Sequence, residues 1–153
     1  ELRPAALTEA EMSDLLRQLA DTITGRGRLP VTVEISGKAV LPPEVKVAFY
    51  RITQEALNNV AKHSGATEAK VNLSCQPDKA ILTVSDNGKG FDTTAVPPDT
   101  LGIGIMRDRA RAIGASLTIE SERNHGTEVA VTWIVPSGEE PRWRRQTPFV
   151  SWL

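Results

Sequence analysis

Apolar residues recur along this chain with two different periods, and the changes of period mark out its elements. Leu15, Leu16, Leu19 and Ile23 return at helical spacing. Thr8 precedes that run and Glu11 follows three residues later, a capping-box pattern that predicts a helix from Thr8 to about Thr24. GRGRLP breaks it. VTVEIS, residues 31 to 36, alternates as a strand. After LPP a second helix is expected from Glu44 to His63, stopped at Ser64-Gly65. Residues 69 to 75 and 80 to 86 alternate again around QPDK and predict a hairpin. NGKGFDTTAVPPDTL, residues 87 to 101, carries glycine and proline but little to pack. A third helix runs from about Gly104 to Ile113 before Gly114, and strands at 116 to 121 and 127 to 135 flank the turn ERNHG.

The order α-β-α-β-β-α-β-β predicts an α+β fold. It is a two-layer α/β sandwich, with three helices on one face of a mixed sheet of about five strands. Residues 1 to 7 form a lead-in, 8 to 136 the domain, and 137 to 153 an aperiodic tail containing PRWRR. The start at Glu1 rather than Met suggests a fragment of a longer protein.

Composition narrows the function. Of 153 residues, 40% are hydrophobic and 24% charged, as in a soluble globular domain. The formal net charge of -1 argues against a general electrostatic grip on nucleic acid or an anionic membrane, so any anion site must be built locally. No apolar run approaches the roughly 20 residues of a membrane span. Cys75 is the only cysteine, which excludes an internal disulfide and suits a reducing compartment.

The second helix carries the first chemical signal. At about 100° per residue, Val45, Phe49, Ile52, Ala56 and Val60 share a face. Asn59 and His63 fall within about 20° of Ile52, and Glu55 about 60° away. Lys62 sits on the flank. Inward polar groups without partners cost a few kcal/mol. Either the protein's own backbone satisfies them, or the helix lines a cavity for a polar ligand. Glu55 and Asn59, one turn apart, are hard oxygen donors suited to Mg²⁺. The helix alone does not choose between the two.

The glycine loops do. Strand alternation puts Asp86 on the side of Leu82 and Val84, at the mouth of the sandwich, where a carboxylate can accept from an amine such as that of adenine. Gly88 and Gly90 follow, and remove side chains where a flat ring must pass backbone. Gly102 and Gly104 open the third helix, whose exposed N–H groups and dipole suit phosphate. Neither a P-loop nor a Rossmann fingerprint is present. Arg107, Arg109 and Arg111 follow, at least one within possible reach of a phosphate. Thr127 opens the last strand, with a hydroxyl available to the same pocket.

Taken in order, QEALNNVAKH, DNGKGF, GIGI and HGT resemble the ATP-binding domain of the GHKL superfamily. They are most similar to sensor histidine kinases that signal to LuxR-type response regulators, and ELRP resembles the segment after the dimerisation helices there. The resemblance covers roughly residues 1 to 136. It implies a Bergerat-type ATP-binding fold, ATP as phosphoryl donor, and Mg²⁺ carried by Asn59. Asn59 and Glu55 would be the catalytic pair, Glu55 tuning the metal or polarising the attacking group. Lys62 and His63 would contact phosphate or ribose. Asp86 would read adenine with Gly88 and Gly90, Gly102 and Gly104 would hinge a lid of about residues 91 to 101, and Thr127 would sit beside the base.

The resemblance also implies partners. The phosphoacceptor histidine belongs to a dimerisation domain upstream, so this chain should not autophosphorylate alone; neither His63 nor His125 is placed to serve. A LuxR-type regulator would be the indirect partner, with no nucleic acid and no direct membrane contact. The expected location is cytoplasmic, whether or not the parent is anchored in a membrane. The alternatives are an anti-sigma-type serine kinase of the same fold and a non-catalytic nucleotide-binding module.

Overall fold

A computed structural model describes residues 10–38, 40–94 and 102–136. The lead-in, Thr8, most of the expected lid and the tail from 137 lie outside the described residues.

Helix α1 spans Met12–Gly27, β1 Val31–Ser36, α2 Pro43–Asn59, β2 Ala69–Cys75, β3 Lys79–Asp86, α3 Ile103–Ala112, β4 Ser116–Ser121 and β5 Thr127–Ile134. The five strands form one sheet in the order β1-β2-β3-β5-β4. Strand β1 runs parallel to β2, from Val31 opposite Ala69 to Ser36 opposite Ser74. The other pairings are antiparallel. The sheet is therefore mixed, as the element order predicts.

One face of the sheet is apolar because the strands alternate. Val71 and Leu73, Leu82 and Val84, and Val129, Val131 and Trp133 all point to it and are buried. Helix α2 lies over β3 and β5, with α1 against α2 and β1, and α3 against α2 and β4. The stripe predicted for α2 is the one that packs: Val45, Phe49, Ile52, Ala56 and Val60 are all buried. Thr53 is the one buried polar residue among those described, and its hydroxyl donates to the Phe49 carbonyl at 2.7 Å.

Three helix limits differ from the sequence reading. Helix α1 starts at Met12, its first buried residue, rather than just after Thr8, which lies outside the described residues. Glu11 is the N-cap without a side-chain bond, and Leu15 N donates to Glu11 O at 3.1 Å as the first turn closes. The Ala10 carbonyl is held by Lys46 Nζ of α2, which fixes where the chain enters the helix. The helix also continues past Thr24 to Gly27, where Arg28 takes a left-handed conformation and its N–H closes on Thr24 O at 2.9 Å.

Helix α2 stops as an α-helix at Asn59 rather than reaching His63. Val60–Ser64 forms a π-helical turn, and Gly65 ends it with φ 63°. The Ser64 hydroxyl donates to Val60 O at 2.6 Å and accepts from Ala66 N at 3.0 Å, so this wider turn is closed by its own last residue. π-turns inside helices are frequent at functional sites. Here the turn changes the angular phase that carries Lys62 and His63, and both are exposed.

Phe49 has no exposed surface and stands at the centre of the helix–sheet interface. Phe49→Ala is expected to destabilise the domain by about 3–5 kcal/mol. Urea unfolding followed by circular dichroism would measure it; a change within experimental error of zero would place the core elsewhere.

Candidate functional site

The end of β3, the start of β5 and the last turn of α2 meet at one edge of the sandwich. Between them lies a cavity of about 280 Å³, at the lower edge of the range for small-molecule sites. Its apolar wall combines Ala56 and Val60 of α2 with Val84, Ile119 and Val129 of the sheet, and with Ile103 and Met106 of α3. Its polar groups are Asn59, Lys62, His63, Asp86, Lys89 and Thr127, with Ser64, Gly90 and Phe91 completing the lining.

Asp86 ends β3 and is half-buried. Partial burial pushes its carboxyl above the usual range, and two donated bonds pull the other way, from Gly88 N–H and from Thr127 N–H. The Gly88 bond to Oδ1 is 2.7 Å. Desolvation is the larger effect, so the carboxylate has unmet acceptor capacity and a local surrounding that favours another donor. The cations are differently placed. Lys62, His63 and Lys89 line the same cavity yet are exposed. The cavity is thus an acceptor at its inner end and cationic at its outer end. That polarity fits a flat ligand with an amine at one end and an anion at the other.

The loop after Asp86 is pinned on both sides. Asn87 Oδ1 accepts from Thr67 N at 2.9 Å and Glu68 N at 3.1 Å, while its Nδ2 donates to Thr67 Oγ1 at 2.7 Å. Lys89 N donates to Ser64 O at 2.8 Å, and Lys89 O accepts from Asn124 N at 2.5 Å. These bonds draw backbones into contact, and this explains the glycines. A Cβ at Gly88 would lie 2.4 Å from Ser64 O. One at Gly90, where φ is +59°, would lie 2.0 Å from Glu122 O. One at Gly126, where φ is +79°, would lie 2.0 Å from Asp86 O. At both glycines the space a side chain would need is taken by the protein's own backbone, and Gly90 also lines the cavity.

The residues singled out in the sequence separate into two groups. Asn59, Lys62, His63, Asp86, Gly90 and Thr127 come together around the cavity, and Gly88 braces Asp86 from behind. Glu55, Gly102 and Gly104 are not part of its lining. Glu55 instead lies against Gly102, the left-handed N-cap of α3 with φ 64°, where a Cβ would fall 2.1 Å from Glu55 Oε1. Gly104 sits within the first turn of α3. The inward role drawn for Glu55 from its angle on the helix thus becomes a contact with the neighbouring helix. Arg107, Arg109 and Arg111 are exposed and outside the lining; Arg111 pairs with Asp108 at 3.7 Å. Lys89, Phe91, Ile103 and Met106 were not picked out. Lys89 stands between two marked glycines, and Met106 two residues after GIG, so position in the motifs was the available signal.

A family model described as histidine kinase-, DNA gyrase B-, and HSP90-like ATPase matches residues 44–137. Sensor protein VraS of Staphylococcus epidermidis is 34% identical over 130 residues, 85% of this chain and 37% of that protein. The VraS of Staphylococcus aureus is 33% identical over the same span. The chain therefore spans little more than a third of the curated relatives it matches. Among solved structures, the ATP binding domain of PrrB from Mycobacterium tuberculosis has a TM-score of 0.65 at 23% identity, covering 84% of this chain and 96% of that one. The blue-light activated histidine kinase of Erythrobacter litoralis EL346 has a TM-score of 0.65 at 23% identity, covering 80% and 41%. At such identity these likenesses establish the fold alone, a two-layer α/β sandwich.

Gly126 touches the Asp86 carbonyl and cannot take a side chain. Gly126→Ala is expected to lower stability by about 2 kcal/mol or more, from the backbone conformation alone. It should also weaken any ligand that uses Asp86. A thermal melt indistinguishable from wild type would show that this contact is not a constraint.

Proposed function

Because the chain belongs to the histidine kinase-, DNA gyrase B- and HSP90-like ATPase family, we propose that it is the ATP-binding catalytic part of a two-component sensor histidine kinase. The observation that carries this is the cavity's polarity: a braced, half-buried Asp86 inside and Lys62, His63 and Lys89 outside. Asp86 accepts from the exocyclic amine of adenine. The apolar wall of Val84, Met106, Ile119 and Val129 holds the ring. Thr127 stands beside the base, and the cations meet ribose and phosphate. Gly102 and Gly104 give the start of α3 freedom to adjust to the outer phosphates.

Mg²⁺ fits the donor set in one way. Among the described residues no group of three or more His, Cys, Asp or Glu side chains could hold a metal. Asn59 lines the cavity; its amide oxygen would be the protein ligand of an ion held there, with the remaining ligands from phosphate and water. Bound Mg²⁺ would supply charge neutralisation for phosphoryl transfer. Glu55, one turn before Asn59, is proposed to tune that site or to polarise the incoming nucleophile. The transfer needs a histidine from outside this segment, on the dimerisation domain of the parent protein. Residues 1 to 7 would then end the linker from that domain, 8 to 136 form the catalytic unit, and 137 to 153 lie beyond it. The parent's partner is a response regulator, proposed to be of the LuxR type, and the segment works in the cytoplasm. Among the described residues no helix is long and apolar enough to cross a membrane.

Titration calorimetry tests the adenine assignment. Asp86→Asn should weaken ATP about ten- to a hundredfold, the worth of a charge-assisted hydrogen bond; unchanged affinity removes Asp86 from the site. Because the carboxyl is raised and only its ionised form accepts fully, affinity should fall as pH drops, beginning above the ordinary aspartate value of about 3.9. Adenosine is the better probe there, having no phosphate to titrate, and the Asp86→Asn variant should lack this slope.

Asn59→Ala should keep nucleotide while losing the gain in affinity that Mg²⁺ brings. Titrations of ATP with and without Mg²⁺ would show it, and an undiminished gain would move the ion to other ligands.

A further inference from the structure

Asn87 is the only asparagine in this chain that a glycine follows. That pair carries a reactivity of its own. The main-chain nitrogen after an asparagine can attack the side-chain amide carbon, and a glycine there has no Cβ to shield the nitrogen or limit its approach. The fold commits both reacting groups to other partners. Asn87 Oδ1 accepts from Thr67 N and Glu68 N, and its Nδ2 donates to Thr67 Oγ1. Gly88 N–H donates to Asp86 Oδ1 at 2.7 Å. Asn87 is nonetheless exposed to water.

We propose that Asn87–Gly88 is a site of spontaneous deamidation, that the side-chain bonds of Asn87 hold the reaction in check, and that its isoaspartyl product disables the cavity. Gly88 N gives up its proton, bonds to Asn87 Cγ and expels the side-chain nitrogen as ammonia, which leaves a succinimide ring. Water then opens the ring at either carbonyl. Opening at Cγ gives aspartate. Opening at the main-chain carbonyl gives isoaspartate, in which Gly88 N stays bonded to the former Cγ. An amide and water have become a carboxylate and ammonia, with nothing oxidised or reduced.

The fold opposes the first step at both atoms. Cγ is anchored through Oδ1 and Nδ2. The nitrogen must become anionic beside the Asp86 carboxylate, which disfavours a second negative charge. The reaction therefore runs through local opening of the loop. Its products differ in consequence. Aspartate keeps the main chain, and the Thr67 hydroxyl can turn to donate to the new oxygen. Isoaspartate joins Gly88 N directly to the carbon that Thr67 and Glu68 hold. Either that hold or the Gly88 bond to Asp86 must then give way. Lys89, whose N–H donates to Ser64 O at 2.8 Å, is displaced with Gly88. The consequence for a nucleotide rests on the reading of the cavity given above. ATP binds the closed loop and not the open one, so it slows the reaction by mass action. A loaded domain outlasts an empty one.

The chain is incubated at mildly alkaline pH in heavy-oxygen water, natively and unfolded in guanidinium chloride, and Asn87 is followed by peptide mass spectrometry. Unfolded, Asn87 should be the first asparagine modified. The native rate should be about ten- to hundredfold lower, as for a few hydrogen bonds that open together. Thr67→Val, which removes the acceptor of Nδ2, should raise the native rate about three- to tenfold, and saturating ATP should lower it. The isoaspartyl form, separated by chromatography, should melt below wild type and bind ATP about tenfold or more weakly. Asn87→Asp should melt and bind close to wild type. Equal native and unfolded rates overturn the proposal. So does the absence of native product by the time the expected rate would convert half the chain. An unchanged rate in Thr67→Val overturns it too, as does an isoaspartyl form that binds ATP as wild type does. If Thr67→Val does not fold, Thr67→Ala carries the same comparison. Wild type that binds no ATP removes the nucleotide reading alone; an isoaspartyl form that then melts as wild type does overturns this proposal.

Discussion

A half-buried carboxylate at the end of a strand governs this architecture. Asp86 is held by Gly88 N–H and Thr127 N–H, and each bond imposes a demand on the chain around it. For Thr127 to reach it, β5 must begin opposite the end of β3, one residue beyond the Ser85–Glu128 pair. For Gly88 to reach it, the loop must fold back at once. That loop is pinned by Asn87 on one side and by Ser64 on the other. The resulting approaches are too close for a Cβ at Gly88, Gly90 or Gly126. One acceptor position thus fixes several turns, and the sheet registers carry that geometry from β2 through β4.

The π-helical turn adds a second consequence of the same packing. Ser64 ends that turn, bonds back to Val60, and receives Lys89 N. Lys62, His63 and Lys89 are therefore set by one junction, between the end of helix α2 and the loop after β3. Cations that look independent in sequence are mechanically linked. Their exposure keeps their individual attraction for an anion modest, so a phosphate would be held by several weak contacts rather than one.

Much of this was legible in the sequence, and for identifiable reasons. Strand periods are short and unambiguous where one face is buried, so VTVEIS, AKVNLSC and TEVAVTWI announced their inward sides. Asp86, Asn59 and Thr127 stood out because polar residues sat on those inward sides or at strand ends. The failures share a cause: they depend on partners distant in sequence. The capping-box motif is local, and it did not show that the helix begins only at Met12, after Glu11. The α2 reading ran to His63 because an assumed 3.6-residue period cannot show a π-turn. The angle that placed Glu55 could not show that Gly102, far along the chain, lies against it. Ser121 was invisible because a serine ending a strand has no pattern of its own; its hydrogen bonds exist only once Phe91, Gly126 and Thr127 surround it.

The site also works against the stability of the fold that holds it. Burial raises the Asp86 carboxyl above its unfolded value, so the folded chain binds that proton more tightly. At low pH both states are protonated and nothing is lost. As pH rises through the interval between unfolded and folded values, the unfolded state ionises first and is favoured, and above the raised value the full cost of ionised Asp86 falls on the fold. This is the opposite of a salt-bridged aspartate, which stabilises as it ionises. A donor from a ligand removes that cost, because it supplies what the solvent no longer can. The stability forgone in the empty protein is therefore returned as affinity for a ligand amine, and the two Asp86 hydrogen bonds from the backbone set how much remains to be returned. A third backbone donor would make the domain sturdier and the pocket weaker.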